Sequence, residues 1–236
     1  MSMHTTIRGE GALAPWRWHH AAIGLLLGAL PSWALWQGRE ALLGFWSVVM
    51  VFWDGALGLQ LARLPDLVQA PSALLTGSTA LMTGLLFVAA GLWPEHWRPW
   101  RVVVRGLCLV QAGACLFFAW LPAHFPHAVQ QHLDGLLQMG ADLLLLMPWM
   151  LTFGWGLLNL PWRLRLLGPL AVLGYFIVWI PHQVVLHAWV LTHGTVLFMP
   201  LLLLCLGPLL NGWLFVALYG WLVSLTPRVT ARESGA

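Results

Sequence analysis

The chain has 236 residues, of which 60% are hydrophobic and only 8% are charged, whereas an ordinary soluble domain carries about 25% charged residues. Apolar runs of about 20 residues recur along its length, which is typical of transmembrane helices. The formal net charge of +3 does not predict nucleic-acid binding, because the arginines are spread over short segments and form no stripe. The sequence therefore predicts a multi-pass protein of the lipid bilayer.

Seven spans follow from these runs, at about 20–37, 41–62, 70–92, 102–121, 131–157, 166–189 and 195–225. Breaks fall at turn and charge signals such as Gly38-Arg39-Glu40. The last run would form a helix of about 45 Å, longer than the hydrocarbon core of about 30 Å. Gly207-Pro208 either kinks this run or divides it into two helices. We expect an all-α transmembrane bundle that forms a single domain over residues 1–236.

The arginines set the expected orientation, because positive residues are retained on the cytoplasmic side of a membrane. With seven spans, Arg8, Arg17 and Arg63 lie on one side and the other eight arginines lie on the opposite side. This distribution predicts an N-terminus outside and a C-terminus in the cytoplasm. The bacterial inner (plasma) membrane is the expected location.

Two groups of histidines then lie at the outer face of the protein. His124, His127 and His132 precede or begin the fifth span, and His182, His187 and His193 end the sixth. Three carboxylates, Asp54, Asp134 and Asp142, fall inside predicted spans, where ionisable groups are rare and usually face the bundle interior or a cavity.

The fifth span carries a polar face. His127, Gln131, Asp134, Gln138 and Asp142 are spaced by four, three, four and four residues, so they share one side of a helix. Imidazole and carboxylate groups together suit copper(II), zinc or iron. Interhelical hydrogen bonds that hold the bundle together are the alternative explanation for this face.

Two segments resemble the CtaG family, membrane proteins implicated in copper delivery during cytochrome oxidase assembly. They are HAVQQHLDGLLQMGADLLLLMPWM at 127–150 and WIPHQVVLHAWVLTHGTVLFMPLL at 179–202. The family shows a histidine pair with an intervening glutamine that opens a leucine-rich helix, followed by a Trp-His-Pro element. In this chain His127 and His132 are one residue further apart than the histidine pair of the family. The second element reads Trp179-Ile180-Pro181-His182.

The resemblance implies a copper-binding assembly factor of the inner membrane, with a cytochrome oxidase subunit or another copper enzyme as its partner. The expected copper ligands are His127, His132, His182, His187 and His193. Asp54, Asp134 and Asp142 would balance charge or orient the imidazoles. This function requires no catalysis.

Two other functions remain open from the residues alone. A b-type haem or quinone-linked electron-transfer protein needs two histidines on facing helices, which His132 with His182 or His187 would supply. A metal-dependent intramembrane enzyme needs His and Asp ligands that leave an open coordination position. Metal and haem content of the purified protein separates these hypotheses.

Overall fold

The computed structural model describes residues 18–61, 71–124, 129–156 and 162–224. All regular secondary structure in these ranges is helical, which confirms the prediction of an all-α protein. Six helical stretches are long and apolar enough to cross a membrane, and Ala22–Gln37 is a shorter apolar helix. The multi-pass membrane class is therefore confirmed. His127 lies outside the described residues.

The α-helices follow the predicted spans closely. They are α1 (Trp18–Gln37), α2 (Arg39–Leu57), α3 (Ala73–Gly91), α4 (Arg98–Trp120), α5 (Val129–Gly156), α6 (Trp162–His193), α7 (Met199–Leu204) and α8 (Leu210–Ser224). Short 3-10 turns at Glu95–Trp97, Pro122–His124 and Val196–Phe198 accompany the ends of these helices.

The first two helices are joined by Gly38 alone. Its amide donates to the Ala34 carbonyl at 2.9 Å, and its carbonyl accepts from the Leu42 amide at 2.9 Å. Both bonds have the i to i−4 spacing of an α-helix. The predicted break at Gly38-Arg39-Glu40 is therefore confined to a single residue.

The end of α2 is fixed by a turn that bonds back to Asp54, a residue in the last turn of the helix. Gly58 and Gln60 have positive φ angles of 62° and 54°, a conformation that ends a helix and that glycine adopts most easily. Asp54 Oδ1 accepts a hydrogen bond from the Leu61 amide at 3.0 Å. Because this turn begins at Gly58, α2 ends about five residues before the predicted limit of the second span.

The last span is one helical run with a kink. Between α7 and α8, residues Cys205–Leu209 form a π-helical turn that contains Pro208, and Gly207 has non-helical angles of φ −99° and ψ −118°. Proline lacks the amide that would continue the ladder, which accounts for the break. Of the two possibilities that the sequence left open, the structure therefore has the kink.

The chain divides into two compact units. The first contains residues 1–46, 138–180 and 213–236, and the second contains residues 47–137 and 181–212. In the first unit, the Trp46 indole donates to the Ile177 carbonyl at 2.8 Å, and Ser32 Oγ donates to the Leu145 carbonyl at 2.8 Å. Gly140 lets Ile180 approach closely, because a Cβ at Gly140 would lie 2.5 Å from Ile180 Cγ2. A single domain stays a prediction.

The second unit contains a buried cluster of apolar side chains. Its members are Met50, Leu59, Ala114, Cys115, Phe118, Val129, Leu133, Leu136, Val184, Val185, Ala188, Leu191, Val196, Leu197 and Met199. Helices α3 and α4 also pack on each other in this unit. A thiol and two thioethers belong to the cluster, so its interior contains soft donor atoms as well as hydrocarbon.

Candidate metal centre

Two predicted histidines meet in the second unit. His132 lies at the end of the first turn of α5 and His187 lies near the end of α6. Their ring centroids are 5.9 Å apart, with an angle of 57° between the ring planes. The structure thus brings together one histidine from each of the two predicted groups.

The His187 ring is completely enclosed. Its exposed fraction is 0%, and Nδ1 lies 3.1 Å from the Gln183 carbonyl. A carbonyl only accepts, so Nδ1 carries the proton and Nε2 presents a lone pair. Nε2 is buried and makes no hydrogen bond within the part of the chain that the structure describes. The Leu202 carbonyl also lies beside the ring.

This arrangement is the one that metal-binding histidines commonly adopt. Such a histidine donates its second ring N–H to a carbonyl or carboxylate, which fixes the tautomer and the ring orientation. Nδ1 of His187 does so toward Gln183, and a buried acceptor without a donor is otherwise unfavourable. Nε2 of His187 is therefore available to an electron-pair acceptor.

Two buried glutamines, which were not among the predicted site residues, hold the backbone of the last span. Gln183 is 4% exposed, and its Nε2 donates to the Gly207 carbonyl at the kink at 3.4 Å. Gln111 Nε2 donates to the Leu197 carbonyl at 3.1 Å. Gln183 thus contacts both His187 and the kink. The bond to His187 uses the backbone carbonyl of residue 183, which any helical residue presents to the position four residues later, so the sequence carried no specific signal for it.

The other two described histidines of the predicted set have separate surroundings. His182 is half-buried, and its ring contacts Trp53 edge-to-face with a centroid distance of 5.8 Å. His193 is exposed, and its Nδ1 lies 2.9 Å from the Trp189 carbonyl and 3.0 Å from Thr192 Oγ1. The His193 ring is therefore held by contacts within the last turn of α6.

The three carboxylates have partners other than histidine. Asp54, in the last turn of α2, accepts a hydrogen bond from the Leu61 amide. Asp134 Oδ1 accepts from Gln130 Nε2 at 3.1 Å on the exposed side of α5. Asp142 Oδ1 lies 2.8 Å from Arg39 Nη2 in an ion pair of the first unit. Their expected role beside the imidazoles stays a prediction.

The polar face of α5 was predicted correctly as one face, but it is exposed. Gln131, Asp134, Gln138 and Asp142 are all exposed, whereas Leu133, Leu136, Ala141, Leu144 and Met147 on other sides of the helix are buried. His132 lies beside this face and is half-buried. The expectation that carboxylates of a span face the interior is therefore not met by Asp134 and Asp142.

The separation of the two rings can be compared with metal geometry. An imidazole nitrogen lies about 2.0–2.1 Å from a bound metal. Because a ring nitrogen lies roughly 1.1–1.2 Å from its ring centroid, two imidazoles on opposite sides of one ion would have centroids about 6.4 Å apart. The observed separation of 5.9 Å is about 0.5 Å shorter. Among residues 18–61, 71–124, 129–156 and 162–224, no group of three or more His, Cys, Asp or Glu side chains is arranged to hold a metal ion. Any ion held by these residues would have few protein ligands.

No family model matches this chain, and neither the curated proteins nor the solved structures contain a significant match.

Proposed function

We propose that this chain is a copper-binding membrane protein in which His132 and His187 hold a Cu(I) ion. Its role in this proposal is to deliver copper to a cytochrome oxidase or a related copper enzyme. The observation that carries the proposal is the enclosed His187 ring, with Nε2 available and a second imidazole at 5.9 Å.

The number of available ligands favours Cu(I) over other ions. A structural zinc site takes four protein ligands, whereas Cu(I) is stable with only two. Soft donors also favour Cu(I), and Cys115, Met50 and Met199 belong to the buried cluster of the same unit. When bound, copper would supply a transferable soft cation, and the two imidazoles would hold it away from water.

The enclosure of His187 argues against the two alternative functions. A haem needs a flat slot between its two axial histidines, and an enzyme site needs room for water and substrate. His187 has an exposed fraction of 0%, so a haem or a substrate would require a large rearrangement around its ring. A single ion requires a smaller space, about 4 Å from one nitrogen to the other.

Copper content of the purified protein tests the proposal. We expect about one Cu(I) per chain after anaerobic loading, measured by elemental analysis and by competition with a chromogenic chelator. His132→Ala and His187→Ala should each weaken binding at least about tenfold, since each removes one of two ligands. His193→Ala is the matched control, because this histidine is exposed at the end of the same helix as His187.

The outcomes separate the functions. X-ray absorption at the copper edge should show two nitrogen scatterers in the wild type. A Soret band that disappears in the His187 variant would support a b-type haem protein. Unchanged copper binding in the double variant, with elution of a monodisperse protein, would overturn the site. Delivery itself is tested by the copper content of cytochrome oxidase in membranes that lack this chain, with and without complementation by His187→Ala.

A further inference from the structure

Three arginines share one face at the start of α4. Arg98, Arg101 and Arg105 are spaced by three and four residues, so their side chains lie along the same side of the helix. Tryptophans 93, 97 and 100 lie just before this helix or in its first turn, as expected where a helix leaves the hydrocarbon layer. All of these residues belong to the second unit.

One carboxylate serves two of these arginines. Glu95 Oε1 lies 3.5 Å from Arg98 Nη1, and Glu95 Oε2 lies 3.4 Å from Arg101 Nη2. Arg101 also donates to the Trp93 carbonyl at 3.5 Å. These distances are long for charge-assisted hydrogen bonds, which are usually about 2.7–2.9 Å. Three positive charges therefore face a single negative charge that is held loosely.

Arg105 has no carboxylate partner among the described residues. Its guanidinium carbon lies 4.4 Å from the centre of the Phe87 ring on α3. Nη2 would be 3.2 Å from a Cβ placed on Gly91, one turn further along α3. Nε is buried and makes no hydrogen bond to the described chain. The guanidinium is thus held in place by an aromatic face and a glycine, and its Nε–H is left without an acceptor among the described residues.

We propose that Arg101 and Arg105 bind the phosphate of an anionic group, with an anionic phospholipid headgroup as the ligand. A guanidinium presents paired donors that match phosphate oxygens. The arginine distribution assigns this helix end to the cytoplasmic side, where anionic lipids attract basic residues near the membrane. Arg105 lies about two turns inside α4, at the depth where a side chain reaches back toward headgroups. The site is independent of the copper proposal.

Thermal stability of the delipidated protein in neutral detergent tests the site. Phosphatidylglycerol added as mixed micelles should raise the Tm in a saturable manner, and phosphatidylcholine should not. Arg105→Gln and Arg101→Gln should each weaken the apparent affinity for phosphatidylglycerol about tenfold, the effect of one lost charge-assisted hydrogen bond. Glu95→Gln should strengthen the affinity, since it removes the competing carboxylate.

Arg39→Gln is the control, because Arg39 is already bonded to Asp142 and its replacement should leave the lipid response unchanged. Inorganic phosphate provides the second arm of the test. A shift with phosphatidylglycerol alone identifies a lipid ligand, whereas an equal shift with inorganic phosphate identifies the free anion at the same site. If Arg105→Gln responds to phosphatidylglycerol as the wild type does, or if phosphatidylcholine gives the same shift, the proposal is wrong.

Discussion

Two polar centres within the predicted spans differ in how the protein surrounds them. His187 in the second unit is fully buried, and it is held by the carbonyl of Gln183, whose side chain also holds the kink at Gly207. Asp142 in the first unit is paired with Arg39, and their side chains are 61% and 30% exposed. Both Asp142 and His187 were predicted for one metal site, yet only His187 lies in a packed interior.

The comparison shows that position along a span does not determine burial. A neutral imidazole can be enclosed when its N–H finds a carbonyl, whereas a carboxylate requires a cation and tolerates solvent or headgroups better. The enclosed centre therefore suits selective binding of a small ion. The exposed pair suits charge neutralisation at the surface of the helix.

Copper binding should distinguish the two centres most strongly. Asp142→Asn should retain full copper binding, because Asp142 is paired with Arg39, while His187→Ala should weaken copper binding at least about tenfold. Both variants are measured with the same chelator competition. Loss of copper in Asp142→Asn would contradict the separation of the two centres.

Loss of the hydrogen bond at the kink of the last span should have the next largest effect, measured as the free energy of unfolding. Gln183→Leu should destabilise the protein by about 1–3 kcal/mol, since it leaves the buried Gly207 carbonyl without its donor. Unfolding in mixed micelles titrated with SDS measures this change, and alkylation of Cys205, which lies in the π-helical turn, should become faster. Gln131→Leu is the control, because that amide is exposed on α5. Equal stability of the two variants would show that Gln183 does not hold the kink.

Substitutions at two glycines of α5 provide a matched pair that tests how closely this helix packs against its neighbour. Gly140→Ala should cost about 1–2 kcal/mol, because the new methyl group meets Ile180 Cγ2. Gly135→Ala has open space around it and should stabilise the helix by roughly 0.5–1 kcal/mol. The same SDS titration measures both. If Gly140→Ala were neutral, the close approach of α5 and α6 at this point would be incorrect.

The ion pair between Arg39 and Asp142 should contribute the least to the free energy of unfolding. A double-mutant cycle with Arg39→Gln and Asp142→Asn should give a coupling energy of about 0.2–1 kcal/mol in detergent, because exposed pairs are screened by solvent. A coupling several times larger would mean that the pair is excluded from solvent and would remove the contrast with His187.

The helices could be predicted from the sequence because apolar runs and helical spacing are local properties. The shared face of Gln131, Asp134, Gln138 and Asp142 follows directly from residue spacing. Its exposure does not, since apolar residues favour lipid and protein interior alike in a membrane protein. Hydrophobicity alone therefore could not distinguish the packed face of α5 from its exposed face.

The histidine pair was only partly predictable. His132 and His187 were both expected as ligands, but nothing local to either residue distinguishes them from His182 or His193. Their contact depends on the packing of α5 against α6 in the second unit. The end of α2 was also missed, because the turn at Gly58 depends on the bond between Asp54 and Leu61.

The one-residue junction at Gly38 places Arg39 directly against the end of α1. The Gly38 amide donates to the Ala34 carbonyl and the Gly38 carbonyl accepts from the Leu42 amide, so no loop separates the start of α2 from α1. Because Arg39 is paired with Asp142 of α5, the junction and the ion pair together hold the start of α2 against α5 in the first unit.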